Sequence, residues 1–411
     1  MLVTNNLYQA NSQPVDTMAP LSWFSKTGYY VVKDKIFRHK IYAMQEATRL
    51  KLGVEGIKWI FNDNVYDTQD WKNTLNISLS ELYRLRAQQL RDKYSYLILS
   101  FSGGGDSTNI LDAFVLNNIH LDEVIVGWPR SQTAGKYAPN LSTDAKNFLS
   151  EWDYLIEPKL KWLRSMSPRT KITIVDPYDN MRSSEPTEDL IAVTARHNYI
   201  GYLRYKAIDK ELLDRQKKYK NCAMIMGINP PMIARINRHL VSYFWDPVTS
   251  MYASDYTENE LYRNIEFFYW TPDMPEIPII QSHALLDDLN LNPGLVNLVP
   301  VWELKTANGR PGWVKHGDEN TRRWMKRVLY PTYNSLSLQV DKNTSPILKP
   351  EWFSWFHDNP HSTEIAQPHY SAIRSVQNLI DPCFFYGNDN EIHDYLPYRS
   401  KFYYIGDLKN V

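Results

Sequence analysis

Residues 96–108 read Tyr-Leu-Ile-Leu-Ser-Phe-Ser-Gly-Gly-Gly-Asp-Ser-Thr, and this run constrains the chain more than any other. The apolar stretch Tyr96 to Leu99 has the length and character of a buried parallel strand. From Thr108 to Asn118, residues Ile110, Leu111, Phe114 and Val115 recur at helical spacing. Between them lies Ser102-Gly103-Gly104-Gly105-Asp106-Ser107, so strand, glycine turn and helix follow in order. Three successive glycines leave no Cβ between backbone and ligand, and the first N–H groups of a helix lack intrahelical partners at its positive end. Such a turn suits an anion. Asp106 alone would repel one, so its presence predicts a divalent cation, Mg²⁺, bridging the carboxylate to phosphate oxygens. The expectation is a metal-bound polyphosphate site, and the plain alternative is a flexible glycine turn.

Other phosphate motifs fit less well. No Gly-x-x-x-x-Gly-Lys-Ser/Thr occurs, which excludes the P-loop of kinases and GTPases. Thr108 stands at the third glycine position of a dinucleotide fingerprint, and the next strand ends in Gly127-Trp128 where an acidic ribose ligand would be needed. Gly105-Asp106-Ser107 after one strand, Gly227-Ile228-Asn229 after another, and Asp358-x-x-His361 resemble the blocks of GDSL-type serine hydrolases. That resemblance implies Ser107 as nucleophile, His361 as its base, Asp358 as the orienting carboxylate, and Gly105 and Asn229 as oxyanion donors. Against it, Pro230 rather than Asp follows Asn229, and Ser102-Gly103-Gly104 has no role in such a mechanism.

Ser-Gly-Gly-x-Asp-Ser after a strand is similar instead to the PP-loop of the ATP pyrophosphatase superfamily. That superfamily includes asparagine synthetase, GMP synthetase, NAD synthetase and the tRNA lysidine and thiouridine enzymes. Its defining positions match at Ser102, Gly103, Gly104, Asp106 and Ser107. By element order the resemblance extends from about Lys93 to Pro231 and is not seen outside that window. It implies ATP and Mg²⁺ as cofactors, with Ser102 to Thr108 gripping pyrophosphate and Asp106 as the metal ligand. A substrate oxygen would attack the α-phosphate, releasing pyrophosphate, and a nucleophile would then displace AMP. Adenine would lie near Phe101 and Gly127-Trp128, where Trp128 either stacks on the base or serves packing alone. Basic residues after the sheet would steady the leaving pyrophosphate, which makes Arg323 and Lys326 catalytic candidates beside Asp106; a solvated helix face is the alternative.

Cysteine content narrows the chemistry. Only Cys222 and Cys383 occur, whereas thiolating members of the superfamily use a cysteine pair or an iron–sulfur cluster and deazaguanine-forming members a cysteine-rich zinc site. What remains is C–N bond formation by an amine or ammonia, as in an asparagine synthetase-like ligase. Met1-Leu2 offers no cysteine nucleophile for glutamine hydrolysis, so the nitrogen would come from solution or a partner. The acceptor stays open among amino acids, nucleotides and tRNA. A non-catalytic nucleotide-binding protein is the reading kept beside the enzyme.

Lys plus Arg and Asp plus Glu each number 46, so no net field draws the chain to nucleic acid or an anionic membrane. The two cysteines, the absence of an apolar run of membrane-spanning length and the lack of a basic-then-apolar leader predict a cytoplasmic, membrane-free protein.

The pattern predicts an α/β fold: a doubly wound, mostly parallel sheet flanked by an N-terminal α+β extension and a mostly helical or irregular C-terminal region. Boundaries fall at 1–92 for the aromatic-rich extension, 93–280 for the nucleotide domain and 281–411 for a substrate-covering region. A hairpin turns at Asp34, a helix spans about 41–51, and Ser78-Leu-Ser-Glu81 is a capping box. Further strands fall at 123–127, 171–175 and 222–227, with helices at 147–166 and 191–213. Gly227-Ile-Asn-Pro-Pro231 is the second loop at the carboxyl edge, with Asn229 either a ligand contact or a helix cap. The proline-rich 270–278 reads as a rigid extended border. On a helix through 321–328, Arg322 pairs with Lys326 and Arg323 with Arg327 at a spacing of four. His357, His361 and His369 near Glu351 and Asp358 match no compact zinc spacing.

Overall fold

The computed structural model describes residues 27–37, 39–128, 152–176, 211–228, 230–246, 265–301, 305–307, 310–312, 319–333, 374–386 and 394–409. Strand β1 (Tyr29–Val32) turns through Lys33-Asp34 into β2 (Lys35–Phe37), with Lys33 in the left-handed region at φ 53°. Helix α1 (Lys40–Arg49) packs on β1 through Ile41, Met44 and Ala47, and β3 (Ile57–Ile60) pairs antiparallel with the other edge of β1. Helix α2 (Leu79–Lys93) begins where its capping box directs: the Ser78 hydroxyl accepts from the Glu81 N–H at 3.2 Å. Its buried stripe of Leu82, Tyr83, Arg86, Ala87 and Leu90 keeps the helical period.

From α2 the chain enters β4 (Tyr96–Ser100), α3 (Gly105–Val115) and β5 (Glu123–Gly127). Then come α4 (Glu157–Met166), β6 (Lys171–Val175) and β7 (Cys222–Met226). A hairpin of β8 (Met232–Ile236) and β9 (His239–Tyr243) precedes β10 (Ile265–Phe267). Strands β10, β7, β4, β5 and β6 form one five-stranded sheet in that order, all parallel. Parallel strands buried on both faces read as continuous apolar runs, and Leu97 to Leu99, Val124 to Val126 and Cys222 to Met226 are all buried. The chain adds strands outward from β4 to β6 and then returns to the other side of β4 with β7. Strand order therefore reverses between β4 and β7, where sheets of this kind open a crevice at their carboxyl edge.

Later elements depart from the sequence reading. The expected border at 270–278 is not an extended linker: α5 (Glu276–Leu291) starts inside it, with Ile277, Pro278, Ile279 and Ile280 buried. Pro278 falls in the first helical turn, where its missing N–H removes no hydrogen bond. Beyond the short hairpin β11 (Lys305–Ala307) and β12 (Arg310–Gly312) lies helix α6 (Glu319–Leu329), the basic helix foreseen near 321–328. The C-terminal region is not merely helical or irregular. After the small pair β13 (Phe385–Tyr386) and β14 (Asp394–Tyr395), strand β15 (Tyr403–Asp407) joins β9 antiparallel, completing a three-stranded sheet β15-β9-β8.

Two expected helices lie partly outside the described residues. Of 147–166 the structure describes a wide turn at Trp152–Ile156 leading into α4. Of 191–213 it describes a helical segment at 211–218, which runs past the expected end. One core runs from Tyr30 through the sheet to Leu408, so all three expected segments share it. Cys222 is buried in that core as a free thiol, and desolvation pushes its pKa up to about 12. Among the described residues no helix is long and apolar enough to cross a membrane.

Candidate functional site

Strand β4 delivers the glycine loop to the reversal point of the sheet. The Phe101 N–H continues the ladder by donating to the Ile125 carbonyl at 2.8 Å, and the chain then leaves the sheet at Ser102. Gly103 adopts φ +73°, and a Cβ there would stand 2.7 Å from Ile156 Cγ1, so both backbone and space demand glycine. Gly104 is the N-cap of α3 and adds no side-chain cap, while the Thr108 N–H closes the first turn on the Gly104 carbonyl at 3.0 Å. The start of α3 is thus bare of side chains at Gly103, Gly104 and Gly105, as an anion-binding helix end requires.

Strand β7 brings the second loop against the same helix end. A Cβ on Gly227 would lie 3.1 Å from the Ser107 nitrogen and 3.3 Å from the Asp106 carbonyl carbon. Glycine at 227 therefore lets the two loops touch. Asn229, the expected contact of that loop, lies outside the described residues, as do the histidines at 357, 361 and 369.

Asp106 is the charged centre of the site. The Tyr330 hydroxyl donates to its Oδ1, Lys326 Nζ stands 3.4 Å from its Oδ2, and the Tyr269 hydroxyl donates to its backbone carbonyl at 3.0 Å. Lys326 lies along the loop: a Cβ on Gly105 would meet its Cδ at 3.1 Å. A lysine beside the positive end of a helix is the reverse of the usual preference and is compensated here by Asp106.

Three buried tyrosines back the carboxylate. Tyr269 stacks on Tyr330 at 5.7 Å and 25°, and Tyr83 meets Tyr269 edge-on at 5.7 Å. Tyr83 donates to the Leu329 carbonyl at 2.9 Å and accepts from Gln281 at 2.9 Å, while Asn109 donates to the Tyr269 hydroxyl at 2.9 Å. Burial above all pushes the hydroxyl pKa values of Tyr269 and Tyr330 well above their ordinary value, followed by Tyr83 and then the Asp106 charge for Tyr269 and by the Asp106 charge for Tyr330, so both remain donors. A turn and a half farther along α3, Asp112 holds Lys159 at 2.5 Å and Thr332 at 2.6 Å.

The sequence candidates separate in space. Lys326 reaches the loop; Arg323, one turn earlier on α6, is exposed, as are Arg322 and Arg327. Ser107 is only 3 % exposed, donates to the Gly104 carbonyl at 3.2 Å and accepts from the Ser102 N–H at 3.3 Å. The hydroxyl therefore ties the loop to its helix, while Asp358 and His361, the other members of the hydrolase alternative, lie outside the described residues. Phe101 and Gly127 are buried, and Trp128 is 2 % exposed with its ring 5.4 Å from Trp152. The Trp128 N–H extends the sheet to the Val175 carbonyl at 2.8 Å, so the ring is carried into the core, which supports packing over base stacking.

Tyr330, Tyr269, Asp112 and Lys159 escaped the sequence reading. Only Tyr330 left a trace, standing four residues beyond Lys326. Among the described residues no cluster of three or more His, Cys, Asp or Glu could hold a metal by itself. Asp106 fits a hard cation that takes one carboxylate from the protein and its other oxygens from phosphate and water. No protein-family model and no curated protein matches the chain.

Proposed function

We propose that this chain is an ATP-dependent adenylating enzyme of PP-loop type, forming AMP and pyrophosphate to activate an acceptor oxygen for attack by an amine or ammonia. The observation that carries the reading is the placing of Lys326, from a distant helix, on Gly105 beside Asp106 at the reversal point of a parallel sheet. In this reading the doubly wound sheet is of the PP-loop class, and its glycine loop presents helix N–H groups to the pyrophosphate of ATP. Mg²⁺ held through Asp106 supplies charge neutralisation and orients the phosphates. Lys326 stabilises the charge that develops on departing pyrophosphate, and Arg323 on the same helix meets the phosphate region from outside. Gly227 lets the second loop close on the start of α3 beside Ser107. The nitrogen donor reaches the adenylated acceptor from solution or from a partner, and the protein works in the cytoplasm.

Incubation with α- and γ-labelled ATP, Mg²⁺ and a cell extract, followed by separation of the products, tests this directly. AMP and pyrophosphate should appear together and vanish in Asp106→Ala. ADP and phosphate, or intact ATP with tight nucleotide binding, would refute adenylation. Ester cleavage lost on Ser107→Ala without need for ATP would restore the hydrolase reading.

A further inference from the structure

Two side chains from one helix end hold the two oxygens of one carboxylate, and they differ in kind. Tyr330 donates to Oδ1 of Asp106, and Lys326 Nζ lies 3.4 Å from Oδ2. The Tyr330 N–H donates to the Lys326 carbonyl at 2.9 Å, so the closing turn of α6 fixes their separation. The Tyr330 ring is 2 % exposed and stacked on Tyr269, whereas Lys326 is a half-buried, flexible partner at the long end of ion-pair range. Tyr269 in turn is bonded to Asp106 and Asn109 of α3, so the rigid partner is anchored in the helix that carries the carboxylate.

We propose that Tyr330 is a positioning residue for the cation site: it holds Oδ1 of Asp106 so that Oδ2 passes from Lys326 to a phosphate-bound divalent cation, freeing Lys326 for the phosphate. The inference rests on the ATP reading above. A carboxylate whose second oxygen is already hydrogen-bonded loses less orientational freedom when it takes a metal, and removing such an outer partner typically lowers metal affinity about 10- to 100-fold.

Mn²⁺ with ATP is the probe, its bound fraction read by electron paramagnetic resonance on the full chain. Wild type, Tyr330→Phe, Asp106→Asn and the double variant form a cycle, and phenylalanine keeps the stack on Tyr269. Tyr330→Phe should weaken Mn²⁺·ATP binding by about tenfold or more, leave metal-free ATP affinity within about twofold, and add nothing in the Asp106→Asn background. Unchanged Mn²⁺ binding, or equal losses with and without metal, would overturn the positioning role. Tighter binding would overturn it too, making Tyr330 a competitor for the carboxylate. Absence of Mn²⁺·ATP binding in the wild type would instead bring down the ATP reading itself.

Discussion

Thr332 donates to Asp112 at 2.6 Å, fastening the chain just past α6 to the helix that starts at the glycine loop. Because Lys326 and Tyr330 grip Asp106 on that same helix, the segment from 326 to 332 lies along α3 as a strap. Asp112 is buried and also neutralises Lys159 of α4 at 2.5 Å, so its removal frees two elements together. Asp112→Ala should cost about 3 kcal/mol in chemical denaturation, while Thr332→Val, losing one hydrogen bond, should cost about 1 kcal/mol. The milder variant should also lower kcat for pyrophosphate release, because the strap carries Lys326.

The two basic candidates on α6 should behave differently. Lys326→Ala should lower kcat for pyrophosphate release by about 10²-fold or more with little change in ATP binding, as expected for a group acting on developing charge. Arg323→Ala, at an exposed position, should lower it by less than about tenfold. Steady-state kinetics on both variants separate the roles, and equal losses would contradict the placement of Lys326 on the loop.

The glycines divide by mechanism as well. Gly103→Ala meets both a left-handed φ and the Ile156 side chain at 2.7 Å, so it should lose about 2 kcal/mol of stability together with ATP affinity. Gly227→Ala has no left-handed φ and meets Ser107 N at 3.1 Å, Ile110 Cδ1 at 3.2 Å and the Asp106 carbonyl carbon at 3.3 Å, contacts that a small shift of the α3 start relieves. It should keep most of its stability and lose ATP affinity, a pattern that thermal unfolding with isothermal titration would show.

The loop was legible in the sequence because it is local. A buried run, three glycines and a helical period lie within Tyr96 to Asn118, and each follows from neighbouring residues alone. Tyr330 was not, since its meaning comes from a carboxylate 224 positions away. The hairpin β8–β9 was hidden because Arg235 and Asn237-Arg238 interrupt a short apolar stretch, yet Asn237 supplies the left-handed φ of 53° at its turn. Pro275 and Pro278 misled in the opposite direction: read as a linker, they sit at the N-terminal end of α5, where proline is tolerated. Trp128 was ambiguous by nature, for an aromatic ring after a strand serves packing more often than a ligand, and the sequence cannot choose until Trp152 is seen against it.

Acid should expose the weakness of Glu123, a buried carboxylate at the start of β5. Burial raises its pKa, but hydrogen bonds from Arg215, Thr173, Lys171 and Tyr96 outweigh that and hold it at about 2, against an ordinary 4.5. Arg215 makes the geometry bidentate, with Nε at 2.8 Å and an Nη at 2.9 Å. A folded pKa below the unfolded one means that stability is fully present above the unfolded value and is lost as pH falls through the folded one. The contribution, on the order of 2 kcal/mol, should therefore disappear between about pH 4.5 and pH 2. Urea unfolding across that window should be steeper in pH for the wild type than for Glu123→Gln, which has no carboxylate to titrate. Parallel curves would mean that Glu123 stays ionised in the unfolded chain or is protonated in the folded one, and the sheet edge at β5 and β6 would then need another anchor.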